Sequence, residues 1–315
     1  MLSFSSPADV PADFGPSAVT IGKFDGVHTG HRAVISRLIE LSDERGLVPT
    51  VVTFDRHPLS VLRPESCPVP LVSNTQKLDL LAGTGVAATL MLAFDRALSE
   101  QGAEEFVRAI LVDALHARLV LVGRDFRFGH RGAGDVATLE QLGARFGFAV
   151  EIIPDVAPQG DRRVSSTWIR ELLSEGRVEE AATMLGVLPS IRSVVVHGAA
   201  RGRTLGYPTA NLDQDVDGFV PADGVYAAWA TIRGTRYPAA VSIGYNPTFD
   251  VPVRHIEAHA LDTTFDVYGE TIRLEFVEFI RGMHKFAGPD ELAEQMGRDE
   301  DRIRLVLGVP PRARP

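Results

Sequence analysis

Two histidines three residues apart, His28 and His31, lie in the run Thr20-Ile-Gly-Lys-Phe-Asp-Gly-Val-His-Thr-Gly-His31, where a short apolar strand gives way to a helical pattern. Gly22, Gly26 and Gly30 let the backbone turn tightly and approach a ligand. A helix N-terminus presents unpaired N–H groups and a positive dipole end, so an anion is favoured there before any side chain acts. Two imidazoles on one face add movable donors. The chemistry suited to them is nucleotidyl transfer, in which attack at an α-phosphate builds negative charge that preorganised donors stabilise.

Three further segments of the first half suit phosphate or a flat ring. Thr53-Phe-Asp-Arg-His-Pro58 ends a strand-like run and offers His57, whose plainer role is to satisfy a loop carbonyl. Gly123-Arg-Asp-Phe-Arg-Phe-Gly129 alternates Phe126 and Phe128 with Arg124 and Arg127. That pattern suits stacking on a ring while guanidinium groups meet phosphate, or a hydrophobic plug with solvated arginines. Arg163-Val-Ser-Ser-Thr-Trp-Ile-Arg170 enters a helix with Ser165 or Ser166 as N-cap, and its two bracketing arginines make an anion cradle.

The second half carries its own set. Gly198-Ala-Ala-Arg-Gly-Arg-Thr-Leu-Gly-Tyr-Pro-Thr-Ala-Asn-Leu212 lacks the Walker pattern. It still suits phosphate: Gly198, Gly202 and Gly206 expose N–H groups, Arg201 and Arg203 add charge, and Thr209 and Asn211, after Pro208, offer oxygens to Mg²⁺. Glu257, in Ile256-Glu-Ala-His259, would read as a solvent-facing strand carboxylate were Thr209 and Asn211 absent.

Positioning these groups takes two architectures. From Ser17 to about Gly186, strand-like runs at Ser17–Ile21, Val48–Phe54, Val86–Phe94, Arg118–Val122 and Phe148–Ile153 alternate with helical patterns at His31–Arg45, Asn74–Leu81, Ala103–His116 and Ala137–Phe146. This predicts an α/β domain, a doubly wound parallel sheet covered on both faces, with ligands beyond the carboxyl ends of its strands. After Leu188-Pro-Ser190 the runs Ser193–His197, Val225–Ile232, Tyr237–Ile243, His255–Leu261 and Thr271–Ile280 come without intervening helices, and one helix, Pro289 to Leu307, closes the chain. The second domain is thus mostly β, an antiparallel sheet or small barrel. The boundary is expected near Pro189, giving domains 1–188 and 189–315.

Composition narrows the classes. The 315 residues are 45% hydrophobic and 23% charged, with a net charge of −9. That excludes a general nucleic-acid surface but not small phosphates gripped by local clusters. No apolar run spans a bilayer and the N-terminus is no secretory signal, so the expected location is the cytoplasm, with no membrane partner. Cys67 alone gives neither a disulfide framework nor a cysteine zinc site.

The histidine run resembles the HxGH signature of the adenylyltransferase superfamily, in its longer G-x-F-D-G-x-H-x-G-H form. The segments at His57, Asp125 and Ser165 resemble those of bacterial FAD synthetases, with Arg56 where that family has proline and Asp125 where asparagine is common. The Pro208-Thr-Ala-Asn211 run, with Val241–Phe249, Ile256–His259, Tyr268-Gly269, Ile280-Arg281 and Lys285-Phe286, resembles the riboflavin kinase family. The resemblance, from Val19 to Leu307, implies an HxGH nucleotidyltransferase fold, Rossmann-like, followed by a six-stranded antiparallel flavokinase barrel. It implies that riboflavin and ATP give FMN in the second domain, that FMN and ATP give FAD in the first, and that both steps use Mg²⁺.

By the same resemblance His28 and His31 stabilise the transition state. Gly22, Phe24, Asp25, Gly26, Arg163, Ser165, Ser166, Thr167 and Arg170 hold the nucleotide and its phosphates, while His57, Pro58, Asp125, Phe126 and Phe128 hold the flavin. In the kinase half, Gly198, Arg201, Gly202, Arg203, Gly206, Pro208, Thr209 and Asn211 bind ATP, Thr209 and Asn211 hold the metal, and Glu257 is the general base. A monomer or weak homo-oligomer is expected. Two alternatives remain open: an adenylyltransferase for another acceptor, and a flavin-binding or regulatory protein, or riboflavin kinase, with a silent first half.

Overall fold

Every residue of the strand Ser17–Ile21 is buried, as happens when helices cover both faces of a sheet. The computed structural model describes residues 1–153, 162–197, 207–245, 254–263 and 266–311. Within them the chain divides into two compact units, Met1–Ser165 and Ser166–Pro315. No helix among the described residues is long and apolar enough to cross a membrane.

The first unit holds six strands, β1 (Leu2–Phe4), β2 (Ser17–Ile21), β3 (Val48–Phe54), β4 (Ala88–Leu92), β5 (Ala117–Gly123) and β6 (Ala149–Ile153). They form one parallel sheet in the order β1-β4-β3-β2-β5-β6. Its helices are α1 (Thr29–Arg45), α2 (Leu59–Leu62), α3 (Asn74–Ala82), α4 (Arg96–Glu100), α5 (Ala103–Phe106) and α6 (Val136–Phe146). The single helix expected over Ala103–His116 is instead α5 followed by π-type turns over Val107–Ala114.

Alternation along the strands sorts side chains between the two faces. Ala18, Leu119 and Leu121 pack with Leu38 and Leu41 of α1 on one side. Val19, Ile21, Val120 and Val122 pack with Phe106, Val107, Ile110, Leu111 and Leu139 on the other. The chain builds outward from β2 through β3 and β4, then returns to add β5 and β6 on the opposite side. The switch point therefore lies between β2 and β5, where a doubly wound sheet opens a crevice for ligands.

The second unit begins with α7 (Ser166–Ser174) and α8 (Val178–Leu185). Both are tied to the C-terminal half of the chain: α8 lies against β12 (Thr271–Arg281), and the Leu173 carbonyl of α7 accepts the Ala222 N–H at 2.9 Å. The change of sequence pattern near Pro189 thus comes after the division in packing at Ser165.

The remaining strands are β7 (Ser190–Val196), β8 (Ala210–Leu212), β9 (Gly224–Ile232), β10 (Thr235–Tyr245) and β11 (Arg254–Ala260). With β12 they close an antiparallel barrel in the order β10-β11-β8-β7-β12-β9. The last helix, α9 (Pro289–Leu307), buries Ile303 against Ala227 and Leu261. Asp299 of α9 receives Arg281 of β12 at 2.7 Å, and Arg304, 3% exposed, is bonded to Glu300 at 2.7 Å. Buried charges persist only when paired in this way.

Candidate active sites

The turn after β2 is wound tightly. Phe24 and Val27 have φ of 47° and 41°, and Gly26 has 79°. A positive φ at valine is strained, and such strain persists only where the surroundings over-determine it. Here the anchor is apolar: Phe24 and Val27 are buried with Ile35, Val51, Leu81 and Val86. Polar ties complete it. Gly22 N–H donates to the Val52 carbonyl at 3.0 Å, Thr53 Oγ1 donates to the Lys23 carbonyl at 3.0 Å, and Asp25 Oδ1 accepts the Leu71 N–H at 2.9 Å. Asp25, expected among the phosphate contacts, thus uses its carboxylate to hold the residue 71 loop.

His28 is the N-cap of α1, and its Nδ1 accepts the His31 N–H at 3.4 Å. With Nδ1 accepting, the neutral ring carries its proton on Nε2 and is a donor there. The two imidazoles stack with centroids 3.7 Å apart, 16° from parallel. A Cβ on Gly30 would come within 3.2 Å of the His28 ring, so glycine leaves that ring its place. Burial, helped by the Arg163 charge, lowers the His28 pKa to about 4. Burial first, then the charges of His28, Lys23, Arg163 and Lys77, hold His31 well below the usual imidazole value. Both rings are neutral at pH 7, and Nδ1 of His31 is buried without a hydrogen-bond partner among the described residues.

Neighbouring strand ends bring up the other groups. At the end of β3, His57 Nδ1 accepts the Leu59 N–H at 3.1 Å and Nε2 lies 3.3 Å from Lys23 Nζ; Pro58 caps α2 beside it. Arg56, where the resemblance has proline, bonds Asp55 through Nε at 3.0 Å and Nη2 at 2.8 Å. After β5, Asp125 accepts from Arg163 Nη1 at 3.3 Å, so its carboxylate ties the β5 loop to the segment before α7. Both side chains are exposed, and such a pair is worth about 0–1 kcal/mol. Phe126 and Phe128 stack at 5.4 Å, but Phe128 is buried in the core near Phe106 and backs Phe126, which keeps a partly open face. Ser165 stands at the position before α7, while Ser166, Thr167 and Arg170 begin that helix in the second unit.

In the barrel, Asn211 of β8 and Glu257 of β11 are cross-strand partners, and Ser242 of β10 pairs with Glu257 on its other side. Leu212, Val241, Ile243, Ile256 and Ala258 are buried. Alternation turns Asn211, Ser242 and Glu257 to the other face together. His259, two residues beyond Glu257, contacts the Pro208 carbonyl through Nδ1 at 2.8 Å and meets Tyr207 edge to face. It holds the strap that leads to Thr209. Gly198, Arg201, Gly202, Arg203 and Gly206 lie outside the described residues, as do residues 246–249 of the Val241–Phe249 run. Among the described residues no cluster of three or more His, Cys, Asp or Glu could hold a metal. A divalent ion carried by nucleotide phosphates needs only one or two protein oxygens. The side-chain oxygens of Thr209 and Asn211 are the right number and kind for that requirement.

Sequence reading passed over three of these residues. His259 had a usable signal, the spacing of two from Glu257 on one strand. Lys77, 6% exposed with Nζ donating to the Phe54 carbonyl at 2.8 Å, is the buried one of the chain's three lysines, and helical periodicity marks it only as part of α3. Lys23 is locally indistinguishable from any loop lysine.

A neutral histidine pair at a switch-point helix, with a separate carboxylate and amide pair on a closed barrel, is the arrangement expected of a two-site nucleotide-dependent transferase. The FAD synthetase family model matches residues 10–168 and the riboflavin kinase model residues 185–307. Bifunctional riboflavin kinase/FMN adenylyltransferases are similar throughout. That of Escherichia coli is 36% identical over 92% of this chain and 93% of its own, and that of Bacillus subtilis 33% over 93% of each. A crystal structure described as a macrolide-efflux protein from Streptococcus pneumoniae matches with TM-score 0.86 at 32% identity, covering 96% of this chain and 98% of that one. The chain belongs to the bifunctional riboflavin kinase/FMN adenylyltransferase family.

Proposed function

We propose that the second unit phosphorylates riboflavin with ATP to give FMN and ADP, and that the first joins FMN to the AMP moiety of a second ATP, releasing pyrophosphate. The observation that carries this reading is the stacked, neutral His28 and His31 pair at the N-terminus of α1. An FMN phosphate is already ionised at neutral pH, so it needs no base to attack the α-phosphorus. What the step needs is donors for the charge that develops, and His28 Nε2–H is one. Phe126 offers a face to the isoalloxazine, backed by Phe128, with His57, Pro58 and the Asp125 loop alongside. Arg163, Ser165, Ser166, Thr167 and Arg170 hold the leaving phosphates.

In the kinase unit Glu257 takes the proton of the ribityl 5′-hydroxyl as its oxygen attacks the γ-phosphorus. Pro208, Thr209 and Asn211, with Gly198, Arg201, Gly202, Arg203 and Gly206, form the ATP strap. Thr209 and Asn211 would hold the Mg²⁺ that ATP carries, and that ion would neutralise phosphate charge. The functional domains are 1–188 and 189–315, the setting is cytoplasmic, and the chain works as a monomer or weak homo-oligomer.

Chromatography of the flavins made from riboflavin or FMN with ATP and Mg²⁺ tests the assignment. Wild type makes FAD from both. His28→Ala is expected to stop at FMN, with FAD formation down by about 10²–10³-fold. Glu257→Gln is expected to make FAD from FMN but not from riboflavin. FAD formation undiminished in His28→Ala would defeat the assignment of the first unit.

A further inference from the structure

Lys23 has no part in the adenylyl transfer assigned to His28 and His31, yet its side chain sits in an electrostatically unfavourable arrangement. Its Nζ lies 3.3 Å from His57 Nε2, while His57 Nδ1 faces the Leu59 N–H at 3.1 Å. A neutral imidazole has one acceptor nitrogen, and here both ring nitrogens face donors. If Nδ1 accepts, Nε2–H points at an ammonium; in the other tautomer two N–H groups oppose each other at Leu59. An anionic oxygen lying against both Nε2–H and Lys23 turns the conflict into two charge-assisted hydrogen bonds.

Neighbouring cations are already engaged. Arg56 is held by Asp55, Arg163 by Asp125, and Lys77 is buried against the Phe54 carbonyl. Lys23 is exposed, and its carbonyl is fixed by Thr53, so its side chain starts from a set point. The sheet order supplies the direction. β3 and β5 lie on opposite sides of β2, so Lys23 and His57 flank the histidine pair on one side and the Asp125-bound Arg163 on the other. In phosphoryl transfer the attacking and leaving oxygens lie roughly in line across the phosphorus. The incoming phosphate and the departing pyrophosphate therefore need cations on opposite sides of the α-phosphorus.

We propose that Lys23 and His57 clamp the phosphate monoester of FMN, and so select the phosphorylated flavin over riboflavin as the acceptor in the first unit. The clamp rests on the assignment of FMN adenylylation to that unit. The test is steady-state FAD formation by the full chain and its Lys23→Met and Lys23→Arg variants. Lys23→Met is expected to raise the KM for FMN at least tenfold, with the KM for ATP within about twofold of wild type, and Lys23→Arg to recover most of the loss. Riboflavin phosphorylation by the same preparations reports that the chain is folded. A rise in the KM for ATP without one for FMN would assign the lysine to the triphosphate and overturn the clamp. Unchanged constants for both would do the same. Absence of FAD from wild type and FMN would instead sink the adenylylation assignment, and the clamp with it.

Discussion

Burial keeps His28 neutral across a range of pH in which the same residue in an unfolded chain takes up a proton. Its folded pKa is about 4, against 6.5 for an unperturbed imidazole. Between those values the unfolded state binds more protons than the folded one, so stability rises with pH across the interval. The site's full stability is present above about pH 6.5 and falls by about 3 kcal/mol as the pH drops towards 4. Hydrogen exchange at the β2 amides, corrected for intrinsic rates, should show less protection at pH 5 than at pH 7. A His28→Gln variant should lose the His28 share of that difference and keep the share of His31, whose burial also holds it neutral. Not every residue at this site showed its role in advance. Asp25 read as a phosphate contact because it stands beside the histidines. Its carboxylate also holds Leu71, a partner 46 positions away that local pattern cannot reveal.

At the scale of elements, the loop after β5 is held by a glycine contact that leaves no slack. Gly129 has φ +70°, and a Cβ there would lie 2.7 Å from the Ala103 nitrogen and 2.8 Å from its Cα, at the start of α5. Gly129→Ala should cost about 1–3 kcal/mol in the first unit and shift Phe126 with Phe128. Its thermal transition should fall and its KM for FMN rise, while riboflavin phosphorylation stays as it was. In the barrel, His259→Ala removes the contact to the Pro208 carbonyl. Kinase activity should show a several-fold higher KM for ATP, with FAD formation from FMN unaffected.

The long strands were legible because near-continuous apolar and β-branched runs over five or more residues mark β2, β3 and β9 without help. The strands β1 and β8, each three residues long, were not. So short a strand has too little pattern of its own, and what makes it a strand is the partner's edge: β4 for Leu2–Phe4, β7 and β11 for Ala210–Leu212. It is β8 that puts Asn211 in register with Glu257. The two residue types could be read in the sequence, but their adjacency could not.

Over the whole molecule, FMN is the product of the riboflavin kinase reaction and the acceptor of the adenylyl transfer. If FMN leaves the barrel into solution, two damaged chains should repair each other. An equimolar mixture of His28→Ala and Glu257→Gln chains should form FAD from riboflavin after a lag in which free FMN accumulates, monitored by chromatography over time. FAD without that accumulation would indicate direct transfer between chains. The order of the sheet has a consequence of a different kind, for how the protein is made. Leu2 to Phe4 leave the ribosome well before their partner strand β4, where Leu2 meets Ala88. At about 5–20 residues per second, the opening strand waits roughly 4 to 17 s for an edge to join. In that interval Phe4, the one β1 residue that the sheet buries, and the β1 backbone groups that β4 will pair both face solvent.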